Sequence, residues 1–100
     1  MALEGFRVRP TEDGDKVTVL AEDDDVRVIT TIPRGVVDDI SPSTFATAKE
    51  REDFIERNLD RVSGVIETKF RLGQFDSGGH DGHERFIRLE TVYLRGLDLK

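Results

Sequence analysis

Five side chains that can ligate a metal or carry a proton fall within nine residues of one another: Asp76, His80, Asp81, His83 and Glu84. Imidazole nitrogens and carboxylate oxygens suit zinc, nickel and similar ions, and the His80-x-x-His83 spacing lets two rings reach one ion. The metal set this predicts is His80, His83, Asp76 and Asp81. Gly78, Gly79 and Gly82 are interspersed with them, so binding would have to bear the entropy of ordering the segment. The simpler reading of the stretch is a glycine-rich loop with solvated side chains. Ser77 lies near His80 and Asp76, but a nucleophile–base–orienter triad needs rigid geometry supplied by separate elements. Neither a Gly-x-Ser-x-Gly elbow nor a phosphate-binding loop is present. The expectation is a protein that is not an enzyme and uses no cofactor. Asp23-Asp24-Asp25 lacks the spacing and the distant glutamate of a calcium loop, and reads as an acidic turn that discourages edge pairing.

The elements around these residues follow from periodicity. Phe6 and Val8 mark a short extended segment before Pro10. Lys16–Ala21 and Val26–Ile32 are β-branched runs on either side of Glu22-Asp23-Asp24-Asp25, which is a hairpin signal. Val26, Val28 and Thr30 share one face of the second run, while Arg27, Ile29 and Thr31 share the other. Pro33 has no N–H to donate and suits the first turn of a helix, so Arg34–Ile40 is predicted helical.

From Thr47 to Leu72 the pattern is helical again. Ile55, Leu59, Val62, Ile66 and Phe70 recur at spacings of four, three, four and four, and Gly73 stands where a glycine ends a helix. About 26 residues would span roughly 39 Å, against a radius of gyration of ~13 Å for a compact chain of this size. Either Gly64 breaks the helix or one end overhangs the sheet. An overhang would expose part of the stripe, and Ile55, Leu59, Val62 and Ile66 are accordingly predicted as an interaction surface. Asn58, beside the stripe, reads as a structural hydrogen-bonding residue. After the 74–84 loop, Arg85–Leu94 is predicted to be the last strand. The fold class is therefore α+β: one domain over residues 1–100, a small, largely antiparallel sheet with a short helix and one long helix packed on one face.

Residues 16–97 resemble a short proteobacterial domain-of-unknown-function family, in which a small strand-rich unit precedes a long helix and a final strand. The resemblance is carried by Ile32-Pro33-Arg34 with Val37-Asp38, then Phe54, Asn58, Val62, Lys69-Phe70 and Gly73. Leu59 departs from the pattern, which commonly has Arg there, and the 74–84 loop is longer than usual. What the resemblance implies is the fold, with no activity attached.

The chain carries a net charge of −6, with −5 in residues 1–40 and −1 in the remainder. That field disfavours encounter with phosphate backbones, so nucleic acid is not the expected partner. On the long helix Lys49, Arg51, Arg57, Arg61, Lys69 and Arg71 alternate with carboxylates, the usual mark of a solvated face. No apolar run approaches the ~20 residues that a membrane span needs. The N-terminus lacks a secretory pattern, and there is no cysteine. These features predict a cytoplasmic, non-membrane protein that acts as a homodimer or through another protein, the metal- or ligand-binding loop being the alternative.

Overall fold

The computed structural model describes residues 3–10, 14–42, 44–74, 84–97 and 99. Its elements are β1 (Glu4–Arg9), β2 (Lys16–Asp23), β3 (Val26–Pro33), α1 (Arg34–Ile40), α2 (Ala48–Arg57), α3 (Leu59–Arg71), β4 (Glu84–Arg88) and α4 (Thr91–Leu94). The strands form one sheet in the order β1-β2-β3-β4. β1–β2 and β2–β3 are antiparallel, whereas β4 runs parallel to β3. The architecture is α+β with a mixed, mostly antiparallel sheet. The parallel pairing follows from the connection, because α1, α2 and α3 carry the chain from the end of β3 back to the start of β4.

The hairpin turn is tighter than the sequence suggests. β2 continues through Glu22 and Asp23, which pair with Arg27 and Val26, leaving only Asp24 and Asp25 to reverse the chain. Asp24 takes φ 53°, a left-handed conformation that Asp tolerates better than most residues. In β1 the register shifts between Glu4 and Arg7. Gly5, at φ 71°, supplies the left-handed residue that such a bulge needs.

One face of the sheet holds the core. Val17, Val19 and Ala21 of β2, Val28 and Ile32 of β3, and Ile87 of β4 are buried with Val36 and Val37 of α1, Phe54 and Ile55 of α2, Val62 and Ile66 of α3, and Leu94 of α4. Thr30 lies among them, 1% exposed, and its hydroxyl has no hydrogen-bond partner. A buried hydroxyl without a partner costs roughly 1–3 kcal/mol, and valine has nearly the same shape. Thr30→Val should therefore raise stability by about 1 kcal/mol in urea denaturation. A loss of stability would mean that the hydroxyl is bonded after all.

The single long helix is corrected to two. The break falls at Asn58, not at Gly64, which remains inside α3. Asn58 has φ −108° and ψ 19°. Its side-chain Nδ2 donates to the Phe54 carbonyl at 2.8 Å, where the next helical amide would have bonded. Its own backbone N–H turns to the Ile55 carbonyl at 3.1 Å, and its carbonyl accepts from Arg61 and Val62 at 3.0 Å to begin α3. The two pieces, about 15 and 20 Å long, fit within principal extents of 38 × 28 × 23 Å.

Both pieces are capped. The Thr47 hydroxyl accepts the Glu50 N–H at 3.2 Å, and the Glu50 carboxylate accepts the Ala46 N–H at 3.2 Å, a variant of the capping box. At the other end Gly73 (φ 70°) lets Gln74 N–H reach the Lys69 carbonyl and Gly73 N–H reach that of Phe70. That pair of bonds is a Schellman motif.

The last strand is also shorter than expected. It ends at Arg88, and Leu89 still donates its N–H to Thr31 at 3.0 Å. Thr91–Leu94 is then a helical turn, which places Leu94 in the core. The Thr91 hydroxyl donates to Asp39 at 3.0 Å and ties α4 to α1. Among the described residues no helix is long and apolar enough to cross a membrane.

Candidate functional site

The helix stripe expected to form an interaction surface is used inside the domain. Ile55, Val62 and Ile66 are fully buried, and Leu59 is half-buried against the same core. On both sides of the break at Asn58 the stripe residues pack into or against the core. Asp76, His80, Asp81 and His83 lie outside the described residues. Among the described residues no group of three or more His, Cys, Asp or Glu is placed to hold a metal ion.

Among the described residues, the features left for contact are the second face of the sheet and a groove beside α3. Residues directly opposed on neighbouring strands point to the same side of a sheet, so the register fixes what that second face carries. Glu4, Glu22, Arg27 and Glu84 form one row across the four strands. Arg7, Leu20, Ile29 and Phe86 form the next, and Arg9, Thr18, Thr31 and Arg88 the third. Lys16, two residues before Thr18, continues the basic end. Leu20, Ile29 and Phe86 are half-buried and stand apart from the core cluster, and the described helices all pack on the other side of the sheet. The face thus has an apolar centre, a mainly acidic end and a basic end.

Two ion pairs hold parts of it in place. Arg7 forks onto both carboxylate oxygens of Glu22 at 2.8 Å and also donates to the Gly5 carbonyl at 2.7 Å. The hydrogen bonds from Arg7, then its charge and that of Arg27, hold the Glu22 carboxyl below the usual glutamate range. Arg88 lies 3.3 Å from Glu90. Both pairs are exposed and screened by water, so they orient charge more than they stabilise the fold.

The groove lies between α3 and the chain around α4 and has a volume of about 370 Å³. Arg61, Gly64, Val65 and Lys69 line one wall, Tyr93 and Leu97 the other. The Lys69 ammonium sits 3.8 Å above the centre of the Tyr93 ring, a cation–π contact that fixes both side chains. The Thr68 hydroxyl, also in the wall, donates to the Gly64 carbonyl at 2.9 Å. Among the described residues no carboxylate lines this groove. Sequence alternation does not single out Tyr93 and Leu97, because it assigns Tyr93 to a strand. No match to the chain was found among family models, curated proteins or solved structures.

Proposed function

We propose that the chain is a small non-enzymatic interaction domain that works as a homodimer, two copies packing their open sheet faces together. The observation that carries this reading is the half-buried row of Leu20, Ile29 and Phe86 between rows of opposite charge. A two-fold axis lying in the interface along that row lays the apolar rows over each other. It also sets Glu4 and Glu84 of one copy against Arg9 and Arg88 of its partner, and the reverse. An isologous contact of this kind uses one self-complementary patch and closes at two copies. Arg27 sits within the acidic row and Arg88 shares its charge with Glu90, so the electrostatic contribution is modest.

Size sets the strength. Strands of six, eight, eight and five residues, about 4.8 Å apart with ~3.3 Å per residue, give a footprint of roughly 430 Å² per copy. Specific interfaces bury about 800 Å² per partner. The expected dimer is therefore reversible, dissociating in the micromolar range and more readily at high salt, since its rim charges are exposed.

Sedimentation equilibrium across a concentration series tests this. Wild type should shift from monomer to dimer, and Leu20→Glu should stay monomeric with unchanged helix content and an unfolding free energy within about 1 kcal/mol of wild type, because Leu20 is outside the core. A wild-type protein that remains monomeric at millimolar concentration, or a Leu20→Glu protein that still dimerises equally well, overturns the reading.

A further inference from the structure

We infer that the α3–α4 groove is a second binding site, which takes an extended acidic peptide segment carrying an apolar side chain midway between two carboxylates. The site lies on the helical side of the domain, away from the open sheet face, and does not depend on how copies associate.

The charge of the groove is opposite to that of the chain. Against an overall net charge of −6, its charged lining is Arg61 and Lys69 alone among the described residues. Among the described residues no ion pair engages Arg61, and the Lys69 ammonium stands over the Tyr93 ring. Two cations with an apolar floor between them call for an anionic, partly apolar occupant. A nucleic acid would need a longer basic track than two side chains.

The spacing defines the occupant further. Arg61 and Lys69 are eight residues apart on α3, about 12 Å along its axis. Gly64 and Val65 lie between them on α3, and Tyr93 and Leu97 form the facing wall. In an extended peptide, residues two apart point the same way, and residues four apart are ~13 Å from each other. The pattern acidic-x-apolar-x-acidic therefore presents both carboxylates to the two cations and the middle side chain to the floor. A groove of 370 Å³ is at the small end of the range for ligand sites, about 300–1,000 Å³, and suits one large side chain.

Gly64 gives the groove its depth. It is in the interior of α3, where glycine is a poor helix former, yet a Cβ added there would meet nothing within 4 Å. A larger side chain at this position would fill the groove without straining the helix.

The chain has one tyrosine and no tryptophan, so its intrinsic fluorescence comes from Tyr93 in the groove wall. The full chain is titrated with a capped Glu-Ser-Leu-Ser-Glu peptide, with Gln-Ser-Leu-Ser-Gln as control, and Tyr93 emission is followed. The expected result is a saturable change below millimolar peptide. Affinity should fall at least about ten-fold for the control peptide, for Arg61→Ala and for Gly64→Leu, while circular dichroism keeps both variants folded. The inference is overturned by the absence of a saturable response, by equal binding of the two peptides, or by undiminished binding to Gly64→Leu. A Tyr93 change that follows protein concentration without peptide would assign the groove to a second copy and overturn it as well.

Discussion

Alanine in place of Phe54 should lower stability by about 3–5 kcal/mol, the usual range for losing a buried aromatic side chain from a core. Phe54 is fully buried and is among the largest side chains in the core. Its ring meets that of Phe45 at 5.4 Å between centroids with a 48° tilt, and the Arg57 guanidinium lies 6.0 Å from its centre. Its carbonyl also receives the Asn58 side chain that breaks the long helix. The ring thus fills the space where α2 crosses the sheet, and the loop before α2 closes over it. Domains of this size are stable by only ~5–15 kcal/mol, so Phe54→Ala should lower the thermal midpoint by on the order of 15 °C or more. Urea denaturation of the two proteins measures the difference. A change below about 1 kcal/mol would mean that α2 does not rest on the sheet through this residue.

The second large effect concerns a buried cation. The Arg51 side chain is 5% exposed, with Nε donating to Asp38 at 3.0 Å and Nη2 to the Phe45 carbonyl at 3.2 Å. Asp38 is 42% exposed and reaches Arg34 only at 3.9 Å. The two partners are therefore not equivalent. Removing Asp38 leaves a guanidinium in the interior without its counter-charge, and Asp38→Ala should cost about 2–3 kcal/mol, less than the 3–5 of a wholly buried pair. Removing the cation leaves a carboxylate that water can solvate, while methionine keeps most of the buried volume. Arg51→Met should accordingly cost ~1 kcal/mol or less. Measured stabilities in the opposite order would contradict the burial of Arg51 beneath α1 and α2.

Much of this fold is legible in the sequence, and the exceptions have physical causes. Alternation in Lys16–Ala21 and Val26–Ile32, the proline at 33 and the glycine at 73 locate β2, β3, α1 and the end of α3 because each depends on local geometry. Four of the residues singled out in the sequence have local or packing roles: Phe54 and Val62 are core, Asn58 breaks the helix, and Gly73 takes positive φ. The break at Asn58 is hidden because Ile55, Leu59, Val62 and Ile66 keep helical spacing straight through it. The stripe runs unbroken in sequence across a break in the helix, and both of its halves pack into the core. The end of β4 is hidden for the converse reason. Thr91 and Tyr93 prolong the alternation, while the burial of Leu94 and the bond from Thr91 to Asp39 draw the chain into a helical turn.

The candidate sites were less legible still. Arg9, Leu20, Ile29, Phe86 and Arg88 are scattered over four strands, and only the pairing register assembles them into graded rows. The groove needs Tyr93 and Leu97 beside α3, a tertiary placement with no sequence period. The histidine loop, the densest constellation in the sequence, falls outside the described residues.

Charge reversal on the open sheet face tests its pairing most directly. Arg9→Glu with Arg88→Glu makes both outer rows acidic, and Glu4→Lys with Glu84→Lys makes them predominantly basic, all at positions outside the core. Each variant alone should sediment as a monomer, because like rows would face each other across the two-fold. Mixed in equal amounts, the two should form a heterodimer at least as tight as the wild-type homodimer, since every opposed row is then complementary. If both variants dimerise as wild type does, or if the mixture stays monomeric while wild type pairs, the open sheet face is not where two copies meet.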